Sequence, residues 1–152
     1  MAYASGAASG PAANVVTLVN VYRWSGSTWE AVATSLGSGA WLNPMVGFTV
    51  TDAGLTGGAL PDFVVSGAAG ASANGLFVVA DVGGRWGVVP VRHPGGGPVF
   101  VDSRISGDQV QESVNDCVPN CAAGRITTTS YRFSPASNAF EPVGEPTVAG
   151  QY

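Results

Sequence analysis

There is no lysine in this chain of 152 residues, and little charge of either sign. The basic residues are Arg23, Arg85, Arg92, Arg104, Arg125 and Arg132. Charged residues make up 11% of the chain, less than half of the usual share of about 25%. Helical surfaces draw heavily on Glu and Lys, so this shortage argues against a helical bundle. The net charge of −4 is scattered. No basic stripe exists for a phosphate backbone to follow, which argues against nucleic acid as a partner. No cationic amphipathic helix is present for a membrane surface. The apolar runs are only a few residues long, too short for an integral membrane segment.

Chemistry-bearing residues are equally scarce. His93 is the one histidine, and it sits in Val91-Arg92-His93-Pro94-Gly95, where a strand end runs into a loop. It is expected to be an exposed loop residue. A Ser-His-Asp hydrolase would also need a nucleophile elbow, and no Gly-x-Ser-x-Gly occurs. Gly57-Gly58 and Gly95-Gly96-Gly97 lack the lysine and the strand-to-helix context of a phosphate loop. No carboxylate pair stands out for glycoside hydrolysis. Zinc needs four Cys or His ligands, and this chain has two cysteines and one histidine. The expectation is therefore no catalytic residues, no metal, no cofactor and no enzymatic activity.

The two cysteines lie in Asn115-Asp116-Cys117-Val118-Pro119-Asn120-Cys121. The spacing is not the redox Cys-x-x-Cys. A turn over Val118-Pro119-Asn120 would bring the two Cα atoms within the ~4.4–6.8 Å that a disulfide requires. A local disulfide between Cys117 and Cys121 is the preferred reading, and two free thiols are the alternative. Disulfides persist in oxidising compartments, so the expected location is secreted or cell-surface. The N-terminus has no basic and no apolar region of a signal peptide, so an exported protein would have its leader absent from this chain. Abundant Ala, Gly and Val with arginine but no lysine fits a high-GC bacterium, a matter of codon usage only.

What the chain does have is strand signal. Residues 14–24 alternate Val16, Leu18, Tyr22 and Trp24 on one face, then return after Ser25-Gly26-Ser27 as Trp29-Glu30-Ala31-Val32. Such a pair reads as a β-hairpin. A second runs from Leu76 to Val82 and back from Trp86 to Val91 around Gly83-Gly84. A third runs from Arg125 to Phe133 and back from Phe140 to Val143. Shorter strands are expected around 48–50, 62–66, 99–102 and 109–114. No window sustains helical periodicity. The fold class is all-β: about ten antiparallel strands in hairpins and meanders, either propeller-blade-like or a β-sandwich. Residues 1–13 and 147–152 read as flexible tails around a single domain over 14–146.

The hairpins echo one another. Tyr22-Arg23-Trp24-Ser25 with Trp29-Glu30 parallels Tyr131-Arg132-Phe133-Ser134 with Phe140-Glu141, and the Trp86 hairpin is a weaker copy. Cross-strand aromatic pairs stabilise hairpins by about 0.2–1 kcal/mol each, so a clamp is the plain interpretation. The sharper one is an aromatic platform for a sugar or peptide, drawn from Trp24, Trp29, Trp86, Tyr131 and Phe140.

The run Gly54-Leu55-Thr56-Gly57-Gly58-Ala59-Leu60-Pro61-Asp62-Phe63-Val64-Val65 resembles the loop and strand of the FG-GAP repeat, the propeller blade of integrins. The likeness continues into Leu76-Phe77-Val78-Val79 and its hairpin. It implies an exported, blade-like fold with an extracellular ligand-binding surface. In that family the loop carboxylates bind calcium. Thr56, Pro61 and Asp62 match the pattern, whereas Gly54 and Gly58 stand where carboxylates are usual, so no calcium site is expected. The functional expectation is a non-enzymatic exported binding or scaffolding module whose partner is an unknown protein or glycan. A structural or decoration component of a virus-like particle is the alternative.

Overall fold

A computed structural model describes residues 2–7, 16–37, 48–68, 74–94 and 102–150. Among these there are twelve strands and no helix: β1 (Ala2–Ala7), β2 (Val16–Trp24), β3 (Trp29–Gly37), β4 (Phe48–Asp52), β5 (Phe63–Ala68), β6 (Asn74–Val82), β7 (Arg85–Val89), β8 (Asp102–Ser106), β9 (Gln109–Asn115), β10 (Arg125–Ser134), β11 (Ala139–Pro142) and β12 (Thr147–Gly150). The three hairpins form and the all-β class holds, but β2 buries Val19 and Val21 rather than the expected face of Leu18, Tyr22 and Trp24, and its register against β3 shifts between Val19 and Tyr22. At the Gly83-Gly84 turn both residues take positive φ, 64° and 81°. A two-residue hairpin of type I′ has that backbone, and glycine adopts it without a Cβ clash.

The centre is the pair β5–β6, whose unbroken apolar runs mark strands covered on both faces. On one face Phe63, Val65, Phe77 and Val79 meet Val19 and Val21 of β2. This is a sandwich contact between the small sheet β1–β2–β3 and the nine-stranded sheet. On the other face Val64, Val78 and Ala80 meet Val89, Val110, Tyr131 and Phe140.

The second core is enclosed by an unusual path of pairing. One edge of β6 is shared in succession by β8, at Asn74↔Asp102, and by β7, over Val78–Val82. From β7 the chain reaches β11 through a Val91↔Phe140 bridge, in which Phe140 N–H donates to Pro90 O at 2.8 Å and Arg92 N–H to Phe140 O at 2.9 Å. β11 pairs with β10, β10 with β9 and β9 with β8. The pairings thus return to β6 and close a ring. The two contacts that close it are parallel, while every hairpin is antiparallel.

The ends correct the expectation of flexible tails. Ala2–Ala7 pairs antiparallel with β2, and Thr147–Gly150 pairs with Arg125–Thr128. Short runs of small residues carry almost no periodicity, so their pairing comes from the unfilled edges of β2 and β10. Of the strand expected at 99–102, residues 99–101 lie outside the described residues, and β8 runs from Asp102 to Ser106.

Candidate functional site

The five aromatic residues separate into three environments. Trp24 and Trp29 face each other across the β2–β3 hairpin, with ring centroids 5.4 Å apart and planes tilted by 56°. They are 51% and 50% exposed, the only exposed aromatics among the described large hydrophobics. The tip is held rigidly: Ser25 N–H donates to Thr28 O at 3.0 Å, and Thr28 N–H donates to Ser25 Oγ at 3.3 Å. Beside the rings runs an exposed Arg23–Glu30 ion pair at 3.4 Å. Trp86 is half-buried and stacks on Phe63 at 5.9 Å against the first core. Tyr131 and Phe140 are 3% and 0% exposed. They belong to the second core, where β7, β9 and β11 converge on them, so they are not ligand-facing. No single platform gathers all five; Trp24 and Trp29 alone form an open aromatic surface.

His93 departs from the expected exposed loop position. Its Nε2 lies 2.6 Å from Oε2 of Glu112, and both side chains are largely buried. The His93 ring meets Tyr131 edge-on at 5.7 Å. Burial pushes the Glu112 carboxyl above its usual range, against the opposing pull of His93. The Tyr131 hydroxyl is also raised, first by burial and then by the nearby Glu112 charge. Glu112 escaped sequence reasoning because it falls at an inward position of β9, opposite Ser103 of β8, where alternation would put an apolar residue. Among the described residues no hydroxyl or thiol hydrogen-bonds to His93, whose partner there is Glu112. The pair is a cross-link that ties the segment after β7 to β9.

In the glycine-rich loop Thr56 and Asp62 bond to each other. Thr56 N–H and Thr56 Oγ1–H donate to Asp62 Oδ2 at 2.6 and 2.9 Å. Ala53 N–H donates to the Asp62 carbonyl at 3.2 Å. Oδ1 of Asp62 is buried without a partner. One spare carboxylate oxygen falls far short of the six to eight oxygens that calcium takes. Among the described residues no three of His, Cys, Asp and Glu come together. The loop does not fit calcium; Asp62 clasps it shut instead.

Cys117 and Cys121 are joined by a disulfide, with Cα atoms 3.7 Å apart, closer than the usual spacing. The loop carrying them includes a cis Val118–Pro119 bond and is dense in local hydrogen bonds. Asp116 Oδ1 accepts from Arg125 N–H at 2.8 Å and Val118 N–H at 3.1 Å. These donors, Arg125 first, hold the Asp116 carboxyl below its usual range. Asn115 Oδ1 accepts from Cys117 N–H, and its Nδ2 donates to Cys121 O, both at 2.8 Å. Gly124 is packed so closely that a Cβ there would overlap the Asn115 amide and crowd Cys117 N.

Comparison with known protein families, with curated proteins and with solved structures finds no match. Among the described residues no helix is long and apolar enough to cross a membrane.

Proposed function

We propose that this protein is a non-enzymatic, extracytoplasmic binding module that docks a protein partner through the Trp24–Trp29 hairpin tip. The observation that carries this reading is the paired exposure of two tryptophans on a turn braced by its own hydrogen bonds. Tryptophan is the side chain most enriched among residues that dominate protein–protein binding energy. The two rings touch at 5.4 Å with planes tilted by 56°, and together they present one exposed aromatic surface to a partner. A sugar ring stacking across both tryptophans would need them nearly coplanar. The disulfide supports an oxidising location. The meander β4–β5–β6–β7 has the four-stranded antiparallel order of a propeller blade, which supports kinship with the FG-GAP repeat, without its metal.

The test begins with cross-linking on the surface of the native cells and identification of the joined protein. That protein is then purified and titrated against wild type and a Trp24→Ala/Trp29→Ala variant. A central pair of this kind is expected to contribute about 2 kcal/mol or more, read as a loss of affinity of at least about thirtyfold. Equal affinity of the two forms would remove the hairpin tip from the interface.

A further inference from the structure

The Cys117–Cys121 bond joins residues four apart in sequence, in a loop beyond the last ladder pair of β9 and β10, Asn115↔Ile126. Both cysteines are exposed, as is every residue from Asp116 to Ala123. A small thiol therefore meets the bond in the folded protein.

The hydrogen bonds that shape this loop run through atoms other than sulfur. Asn115 alone holds both cysteine residues: its Oδ1 accepts from Cys117 N–H, and its Nδ2 donates to Cys121 O. The first of these supports the left-handed turn at Cys117, where φ is 53°. Asp116 N–H donates to Arg125 O at 3.0 Å. Ala123 N–H donates to the carbonyl and the Oδ1 of Asn120, both at 3.1 Å.

The energetics follow from ring size and position. A bond between residues so close in sequence removes little entropy from the unfolded chain, and neither cysteine belongs to either apolar core. Linkage is reciprocal: whatever the bond contributes to the fold, the fold contributes to the bond. A bond worth little to the fold is thus about as easily reduced in the native protein as in a short peptide of the same sequence. Structural disulfides differ, because folding protects them from reduction by small thiols.

From this we infer that Cys117–Cys121 is a thiol-exchange site, opened and closed by low-molecular-weight thiols while the β-fold stays intact. A thiolate RS⁻ attacks one Sγ and forms a mixed disulfide. The Cys117–Cys121 bond breaks, and the other Sγ leaves as a thiolate that takes a proton from water. A second thiol, as its thiolate, attacks the mixed disulfide and releases RSSR and the second protein thiol. Two electrons pass from the small thiols to the protein. The chain has two cysteines in all, so these electrons come from outside it. Asn115 keeps the reduced residues side by side, and an oxidised small disulfide re-forms the bond by the reverse steps.

The test equilibrates the full chain in buffers of reduced and oxidised glutathione, traps free thiols by alkylation and counts them by mass spectrometry. Tryptophan fluorescence is recorded in each buffer, and a synthetic peptide spanning residues 115–125 is treated identically. Protein and peptide should be half-reduced at [GSH]²/[GSSG] ratios within about fivefold of each other, the factor given by about 1 kcal/mol of stability. Fluorescence should stay native throughout. In a Cys121→Ser variant, Cys117 has no partner to expel a bound thiol, so oxidised glutathione should leave one glutathione on the folded chain. A wider separation between protein and peptide, a fluorescence change that tracks reduction, or no adduct on the folded variant would overturn the inference.

Discussion

The first and last hairpins share a sequence plan and the pairing at their tips, yet they lie in opposite environments. In β2–β3, Trp24 faces Trp29 and Arg23 faces Glu30. In β10–β11, Phe133 faces Phe140 and Arg132 faces Glu141. The aromatic pairs even have similar spacing, 5.4 and 5.9 Å. But Trp24 and Trp29 stand half in water, and Phe140 is wholly enclosed. The ion pairs diverge too. Arg23 bonds its cross-strand neighbour, whereas Arg132 turns to Asp108 at 2.9 Å and Glu141 to Arg92 at 3.8 Å. Register is a local property of a hairpin; burial depends on what the rest of the chain lays over it. The last hairpin is covered because the Val91↔Phe140 bridge brings β7 against it, and nothing among the described residues does the same for the tip of the first.

Truncation is the most severe way to test that contrast. Phe140→Ala should cost about 3–5 kcal/mol, through lost burial and a cavity that the ring of strands cannot close. Trp24→Ala, measured by the same urea unfolding, should cost no more than about 1 kcal/mol, the worth of a cross-strand pair. Similar losses for the two would abolish the distinction.

A second test uses the loop at the far end of β10. Gly124→Ala forces a methyl group into the space of the Asn115 amide, and overpacking of this kind costs about 1–3 kcal/mol. Reduction of the Cys117–Cys121 bond should cost much less, because a ring this small removes little entropy from the unfolded chain. Hydrogen exchange should then rise over residues 115–124 while the amides of β11 stay protected. Loss of β11 protection on reduction would show that the loop and the buried hairpin unfold as one unit.

The smallest expected effect is a pH dependence peculiar to the buried hairpin, whose Tyr131 neighbours Glu112 and His93. The Glu112 carboxyl is raised in the folded protein. Its stabilising contribution is therefore present below the unfolded value of 4.5 and is lost as pH rises through the folded pKa. The stability difference between wild type and Glu112→Gln should accordingly shift toward wild type on acidification from pH 7 towards about 4.5. A difference that stays flat, or moves the other way, would mean that the attraction of His93 outweighs the cost of burying the carboxylate.

Much of this architecture can be read from residues alone. Alternation located β2, β3, β6, β7, β10 and β11, Gly83-Gly84 marked a turn that only two positive φ values satisfy, and the cysteine spacing supported a local bond. Three features were illegible for a common reason. β1 and β12 are recruited by open edges, His93 is held by a carboxylate from a strand sixteen or more residues further along, and the ring of pairings closes where β8 meets β6 at Asn74↔Asp102. Each depends on contacts between distant segments, which local pattern does not record.

By itself the sequence determined the period of the strands, the places where the chain turns back and which residues face one another across each hairpin, because those follow from φ/ψ preferences and side-chain alternation over a few residues. Only the tertiary structure decided which of two matching aromatic hairpins would be buried, and with it that Trp24 and Trp29 stand half exposed. The physical reason is that apolar burial is non-directional and governed by the surface available: Phe140 has β7 to cover it, and among the described residues no strand is laid over Trp24 and Trp29 in the same way.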